Sequence, residues 1–286
     1  MSMNQKRTII IVNYNSSKRS NDLLSSIKKN IYKEINEIII IDNNSNDIKI
    51  LETKDPKIKI IINKKNLGFA KAVNQGIDKS KNNLIILLNP DTKIINNSIL
   101  KTISLIEEDK NIGVIGGKIK YEYKKIFTAN NAPTLLTGLF EFTNLKKIFP
   151  KNKYTLNFWP EIKQKITKPL EVSGICGAYL IFRKYDKTGK KNYFSEDYFL
   201  YLEDLDFCLK MKSKGFKIIF DPRSEILHIG GASTNNKYNM ALNHWYKSRK
   251  IFFKKHLNPV EGIILNIIFT IEELFLKTRL LIKNHD

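Results

Sequence analysis

Four side chains in this sequence can do chemistry together if the chain folds back on itself: Asp91, Glu203, Asp204 and His228. Asp91 follows the apolar run Leu84 to Leu88, within Asn89-Pro90-Asp91-Thr92, so it should project from the carboxyl end of a buried strand. A carboxylate there suits a divalent cation that holds a diphosphate, because Mg2+ and Mn2+ take oxygen ligands and the phosphates complete the set. Glu203 and Asp204 stand where an extended segment gives way to a helix. The helix dipole favours an ionised carboxylate at that point, the form that takes a proton from a hydroxyl, which makes Asp204 the candidate base. His228 ends an apolar run just before Gly230 and Gly231, so its ring should face an open surface of small residues. Imidazole is an acceptable ligand for Mn2+ and a poorer one for Mg2+.

Taken singly, each segment has a plainer account. Residues 89–92 also spell a turn, acidic residues also complement a helix start, and Asp206 four places before Lys210 also reads as an ion pair on a helix face. Asp42 closes the run Glu37 to Asp42 and can accept hydrogen bonds from a ribose or base edge, or form an ordinary Asx-turn. The stretch from Asn66 to Gly76 supplies a Gly-containing turn that opens a helix with free backbone N–H groups, and Lys71 adds charge near a diphosphate.

The elements that must position these groups alternate in type. Residues 8–13, 37–42, 57–62 and 84–89 are short runs rich in Ile and Leu that read as strands buried on both faces, the pattern of a sheet covered by helices. Helical spacing falls between them, at about 20–30, 70–80 and 98–109. This βαβ rhythm predicts a doubly wound α/β domain, in which ligands bind beyond the carboxyl ends of the strands. From 124 to 169 the periodicity fails and one or two short helices are expected inside an irregular insertion. Regular pattern returns with a strand or strand pair at 170–183, a helix at 204–214 stopped by Gly215, and two strands at 216–220 and 225–228. Two helices follow, about 239–256 and 259–283, the second with an apolar stripe through Ile263, Ile264, Ile267, Ile268, Ile271, Leu274, Phe275, Leu281 and Ile282. Its longest uncharged stretch, Gly262 to Ile271, is far short of the roughly 20 apolar residues a membrane span needs.

The 286 residues carry a formal net charge of +21, which favours a polyanionic partner: a nucleotide diphosphate, an acidic membrane surface or nucleic acid. The two cysteines, Cys176 and Cys208, sit in apolar segments and read as buried, inert thiols in a reducing compartment. Thr8 to Val12 is strand-length and too short for a signal peptide, so a cytoplasmic location is expected.

Together the segments resemble family-two glycosyltransferases of the GT-A fold, in particular the bacterial rhamnosyltransferase-like branch that builds surface polysaccharides of the cell envelope. The matching blocks are residues 11–15 (IVNYN), 41–47 (IDNNSND), 66–70 (NLGFA), 88–92 (LNPDT), 172–178 (VSGICGA), 199–209 (FLYLEDLDFCL) and 228–233 (HIGGAS), in the family's order. The resemblance implies a GT-A catalytic domain over 1–235, with a mostly parallel central sheet flanked by helices. That domain divides into a nucleotide-binding half (1–120), the insertion (121–169) and an acceptor and metal half (170–235), and 236–286 form a C-terminal helical extension. It also implies residue roles. Asn89 and Asp91 stand where the family has its Asp-x-Asp motif, so Asp91 alone carries Mn2+ or Mg2+, with His228 as second ligand. Asp204 matches the base of the Glu-Asp motif that begins with Glu203. Asn13, Tyr14, Asp42 and Asn43 match positions lining the nucleotide, and Asn66 and Gly68 close over it.

The implied reaction is inverting transfer of a hexose, rhamnose favoured, from dTDP-rhamnose or a UDP-hexose to a hydroxyl of a glycan or polyprenyl-linked acceptor. With Lys277, Arg279 and Lys283, the last helix suits peripheral docking at the anionic inner face of the membrane; packing on its own domain or in a homodimer is the competing expectation. A basic nucleic-acid-binding protein would also place Trp245 and Tyr246 beside the lysines of 247–256, but none of the usual modules is present. A nucleotidyltransferase of the same fold would carry a Gly-rich basic loop after the first strand, which residues 13–19 do not provide, and an inactive sugar-nucleotide-binding relative is the remaining alternative.

Overall fold

Runs of Ile and Leu become adjacent strands because side chains that alternate across a strand need apolar cover on both faces. The structure, a computed structural model, describes residues 6–51, 54–121, 127–163, 165–229 and 238–283. Gly230 to Ser233 of the last sequence block, and the side chains of Lys277, Arg279 and Lys283, lie outside the described residues. The strands are β1 (Arg7–Asn13), β2 (Glu37–Asp42), β3 (Ile58–Ile62), β4 (Leu84–Leu88), β5 (Thr92–Lys93), β6 (Ile112–Tyr121), β7 (Ala129–Asn130), β8 (Leu170–Val172), β9 (Gly174–Ile175), β10 (Tyr179–Arg183) and β11 (Lys217–His228). The helices are α1 (Ser17–Asn30), α2 (Phe69–Lys79), α3 (Ile99–Glu108), α4 (Leu135–Glu141), α5 (Leu145–Ile148), α6 (Lys153–Phe158), α7 (Pro160–Lys163), α8 (Glu203–Ser213), α9 (Tyr238–His256) and α10 (Pro259–Lys283).

The main sheet runs β3-β2-β1-β4-β10-β6-β11-β5, and β8 pairs β11 beside that path. β3, β2, β1 and β4 are parallel, β11 is parallel to β6, and β10 lies antiparallel between β4 and β6. In β1, Ile9 and Ile11 join one core layer under α1 and α3, while Ile10 and Val12 join the other under α2 and α8. This is the α/β architecture the sequence predicts. It sets Asn13, Asp42 and Leu88 at one edge of the sheet, where the order turns from β2 across β1 to β4. Crevices at such switch points are where open α/β sheets bind ligands.

Three details depart from the sequence reading. The two strands expected at 216–220 and 225–228 form one strand, β11, with a register shift between Asp221 and Glu225. Pro222 has no N–H for the ladder, and buried Asp221 holds the excursion by accepting from Arg223 Nε and Nη2, both at 2.8 Å. The segment at 170–183 makes three short strands rather than one or two. The insertion holds four short helices among its described residues where one or two were expected. Elements of four to seven residues are too short to show a period, and these are held by tertiary contact instead.

That contact comes from the C-terminal helices. Phe142 and Phe158 of the insertion bury against Phe252, Phe253, Leu265 and Phe269 of α9 and α10. Arg249 is 1% exposed; its Nη1 donates to Phe142 O and to Glu272 Oε2, both at 2.6 Å, and its guanidinium lies over the Phe269 ring. One guanidinium therefore ties α4, α9 and α10 into a single block.

Candidate active site

Asp91 and His228 are brought together by the shortest strand of the sheet. β5 pairs antiparallel with the end of β11, Thr92 opposite His228, and the Ile229 N–H donates to Asp91 O at 2.9 Å. His228 Nε2 then stands 2.9 Å from Asp91 Oδ1. The approach lacks hydrogen-bond geometry, and both ring nitrogens are buried without a hydrogen-bond partner among the described residues. His228 is 9% exposed, stands T-shaped to Tyr121 at 4.6 Å and lines the cavity described below, while Gly230 and Gly231, from which an open surface is expected, lie outside the described residues.

Two lone-pair atoms at this separation fit a shared cation: neighbouring octahedral ligands at about 2.1 Å from a metal stand about 3 Å apart. No group of three or more His, Cys, Asp or Glu suited to a metal occurs among the described residues. Asp91 and His228 can hold a divalent cation as a pair, with diphosphate oxygens as the further ligands. Arg19 Nη1 lies 3.8 Å from Asp91 Oδ2 and adds positive charge on the same side.

Asp204 is linked to this strand end through the turn at 176–178. The Asn89 N–H donates to Ala178 O at 3.1 Å, and the Gly177 N–H donates to Asp204 Oδ2 at 2.8 Å. The Leu205 N–H donates to Asp204 Oδ1 at 2.8 Å, so both carboxylate oxygens are fixed by backbone. Tyr201 and Leu202, just before α8, take positive φ of 73° and 66°. For residues with a Cβ each such conformation costs about 1–3 kcal/mol, and here the turn delivers Glu203 and Asp204 to the cavity. Gly68, at φ +86°, supports that turn: a Cβ would stand 2.7 Å from Phe199 O, to which the Phe69 N–H donates at 2.8 Å.

Burial, not the helix dipole, dominates the two carboxyls. Enclosure raises the Asp204 carboxyl above its ordinary value, and the Gly177 and Leu205 N–H groups offset only part of that. Glu203, 6% exposed, is pushed up to about 8 by burial and then by the Asp204 charge, and its Oε2 has no hydrogen-bond partner among the described residues. Asp206 does not make the expected pair with Lys210. It is fully buried and accepts from Tyr198 Oη, from Lys255 at 2.8 Å and from His256 at 2.7 Å, which clamps α8 to α9.

The raised Glu203 value has a stability consequence. Between the ordinary 4.5 and about 8 the folded chain holds a proton that the unfolded chain has released, so this carboxyl lowers stability as pH rises through that window. Glu203→Gln removes the titration. Its urea midpoint should match the parent at about pH 5 and exceed it at about pH 9; equal midpoints at both would show that the carboxyl titrates normally.

A cavity of about 760 Å³ joins Tyr14, Asn43, Asn66, Gly68, Asn89, Asp91, Glu203, Asp204 and His228. Asn43 Nδ2 donates to Gly68 O at 3.1 Å, closing its far end. Three sequence candidates are not at its surface. Asn13 and Asp42 are fully buried one layer below, where Asn13 Nδ2 donates to Asp42 Oδ1 at 2.8 Å and Asp42 Oδ2 accepts the Ser45 N–H at 2.9 Å. They brace the strand ends. Lys71 is exposed outside the cavity, 3.6 Å from Glu196. Of the cysteines, Cys208 is buried, but Cys176 lies partly exposed in the cavity wall, its thiol pushed up to about 12 by burial and by Asp204.

The sequence reading assigned no site residue to one side of the cavity, which is formed by Glu141 and Trp159 from the insertion and His244 and Trp245 from α9. The aromatic density of residues 127–159 was the visible signal. Which of those rings face inward depends on α9, and no local pattern encodes that.

Comparison with known proteins gives three findings. The family described as Glycosyl transferase family 2 matches residues 8–188. An N-acetylglucosaminyl-diphospho-decaprenol L-rhamnosyltransferase of Mycobacterium tuberculosis is 23% identical over 258 residues, 85% of this chain and 82% of the relative. Among solved structures, GalNAc-T7 with UDP, GalNAc and Mn2+ superposes with TM-score 0.56 at 17% identity over 87% of this chain, which spans half (50%) of that protein. The mannosyltransferase PcManGT of Pyrobaculum calidifontis, with GDP-Man and Mn2+, gives TM-score 0.56 at 14% identity, covering 88% of this chain and 64% of the other. At such identities the structural likeness bears on the fold.

Proposed function

The chain belongs to glycosyl transferase family 2, and on that premise we propose that it transfers a sugar, rhamnose first among candidates, from a nucleotide diphosphate to a hydroxyl of a lipid-linked glycan, with inversion. The observation that carries the reading is the convergence of Asp91, His228 and Asp204 on one cavity at the carboxyl edge of the sheet. The similarity to the mycobacterial rhamnosyltransferase favours rhamnose and a polyprenyl diphosphate-linked acceptor.

Each residue then has a task. Tyr14, Asn43, Asn66 and Gly68 receive the nucleotide, and Asn89 and Asp91 face the diphosphate. A Mn2+ or Mg2+ ion held by Asp91 and His228 supplies charge neutralisation on the leaving diphosphate. Asp204, oriented by the Gly177 and Leu205 N–H groups, takes the proton of the acceptor hydroxyl as that oxygen attacks the anomeric carbon. Glu203, protonated below about 8, holds no second negative charge beside the base at neutral pH.

A donor panel tests the reading. Nucleotide release is measured with dTDP-rhamnose and then with UDP-hexoses, in Mn2+ and in Mg2+. Turnover of dTDP-rhamnose at the highest kcat/KM is the expected result; release from a UDP-hexose alone replaces the sugar and keeps the reaction, and no release from any donor removes the reaction.

The fold also bears on where the acceptor is met. Leu265 and Phe269 of α10 are buried, while Ile263, Ile267, Ile271, Leu274 and Phe275 stand 55–68% exposed on its other side. No helix among the described residues is long and apolar enough to cross a membrane. An exposed apolar row on so basic a chain suits an anionic lipid surface. Truncating α10 would also remove Glu272 from Arg249, so exposed positions are the better probe. Ile263→Asp with Ile267→Asp and Ile271→Asp should abolish co-sedimentation with phosphatidylserine vesicles at unchanged melting temperature. Unaltered partitioning would dispose of the membrane idea, and loss of a dimer in its place would assign the row to a second copy.

A further inference from the structure

The turn that aims Asp204 is held from one side by α9. Its positive-φ residues, Tyr201 and Leu202, adopt a conformation that persists only where the surroundings over-determine it. Three contacts from α9 do so. The His244 ring stacks on Phe199, 11° from parallel at 4.3 Å, the Ser248 hydroxyl donates to Leu200 O at 2.7 Å, and Lys255 and His256 reach Asp206. Residues 244, 248 and 255 recur at i, i+4 and i+11, which puts them on one face of a helix with about 3.6 residues per turn.

The last contact closes the turn on itself. Tyr198, at its start, donates from Oη to Asp206 Oδ1 at 3.2 Å, and the same oxygen accepts from Lys255 Nζ at 2.8 Å and His256 Nε2 at 2.7 Å. Residues 198 and 206 bracket Glu203 and Asp204, and both are tied to α9 at one atom. α9 has its own anchor in Arg249, which is 1% exposed and donates to Phe142 O and Glu272 Oε2.

We propose that α9 is the strut that sets the place of the base, with Ser248 and His256 as positioning residues that act on Asp204 through residues 198–206. The inference rests on Asp204 as the base of the reaction above and deepens that reading. Neither residue lines the cavity, so an effect on the reaction has to pass through the turn. Ser248 is 2% exposed, and its hydroxyl is directed to the last carbonyl before the two strained residues. Misplacing a reacting group by about 1 Å costs about 100-fold in rate, so a hydrogen bond remote from the chemistry can govern it.

Cys176 reads the place of Asp204 without any turnover. It lies partly exposed in the cavity wall beside Gly177, whose N–H donates to Asp204 Oδ2 at 2.8 Å, and burial and then the Asp204 charge keep its thiol protonated. A base that leaves Gly177 relieves that charge and uncovers the thiol, and the thiolate is the form that alkylates. Cys208, fully buried on α8, is the internal control. The full chain and three variants are treated with iodoacetamide at pH 8, and modification of each cysteine is followed by peptide mass. Nucleotide release gives kcat, and calorimetry with UDP and dTDP in Mn2+ gives affinity. Ser248→Ala removes the hydroxyl and puts a better helix former into α9. His256→Phe keeps a ring against Phe252 and removes the donor to Asp206, whereas His256→Gln keeps a donor.

Ser248→Ala and His256→Phe should alkylate at Cys176 about 10-fold faster and turn over about 10-fold more slowly, with nucleotide affinity unchanged and Cys208 untouched. His256→Gln should stay at the parent values. Parent rates of Cys176 alkylation in both Ser248→Ala and His256→Phe, a parent kcat where Cys176 responds, or alkylation of Cys208 in step with Cys176 overturns the strut, the last because the contacts then only stabilise the fold. Failure of the glycosyltransferase reading looks different: Cys176 responds as expected, and the parent chain turns over no nucleotide sugar.

Discussion

Asp204→Asn should lower kcat for sugar transfer about 1,000-fold with the fold and donor affinity intact. The magnitudes separate a chemical role from a structural one. Asparagine offers one carbonyl where the carboxylate accepts two N–H groups, from Gly177 and Leu205, so one donor loses its partner at a cost of about 1 kcal/mol. A 1,000-fold fall corresponds to about 4 kcal/mol of barrier, well beyond that. Melting temperature and donor dissociation constant should therefore move little while kcat collapses. In the parent enzyme the carboxyl must be ionised to act, and burial has raised it above the usual 3.8, so kcat should fall as pH drops through a value higher than a free aspartate's. Transfer by the folded variant at near the parent rate would end Asp204's candidacy as the base.

The strand ends that frame this base could be read from the sequence because their causes are local. A run such as Ile38 to Ile41 has no polar residue to place on a solvent face, so it must be a strand covered on both sides, and a polar cluster directly after it must lie at the sheet's edge. That reasoning correctly brings Asn43, Asn89 and Asp91 to one cavity. It cannot tell a residue that faces the ligand from one that braces its neighbour. Asp42 and Asn43 are adjacent in sequence and equally polar, yet the first is spent on Asn13 and Ser45 and the second lines the cavity. Side chains of successive strand residues point to opposite sides, and which side holds the ligand is set by α2 and the loop at Gly68, not by the strand.

The aromatic side of the cavity was hidden for a different reason. Its helices are too short to carry a period, and its order comes from α9 and α10; α10 alone read from sequence as an apolar stripe, with a membrane surface, its own domain and a second copy as competing partners. Tyr201 and Leu202 make the same point at the backbone. Neither residue type signals positive φ, so the strained turn that aims Glu203 and Asp204 had no sequence mark, although Gly68, its packing partner, did.

Asp91→Ala should weaken nucleotide-diphosphate binding about 100-fold in Mn2+, some 3 kcal/mol, and should not weaken it at all in chelator. The change of sign follows from charge. With a cation between them, the carboxylate and the diphosphate are both attracted to it; without one, two anions face each other across a cavity of reduced dielectric, and removing Asp91 relieves repulsion. The mutation and the metal should thus be strongly non-additive, the mark of groups that act through one another. His228→Ala should cost less, about 10-fold, and should narrow any preference for Mn2+ over Mg2+, since imidazole is the ligand that distinguishes them. Calorimetry with UDP and dTDP, in each metal and in EDTA, reads all of these. A loss in Asp91→Ala that is as large in EDTA as in Mn2+ would mean that the carboxylate orders the loop at 89–92 and holds no ion, and the 2.9 Å approach of His228 would then be ordinary core packing.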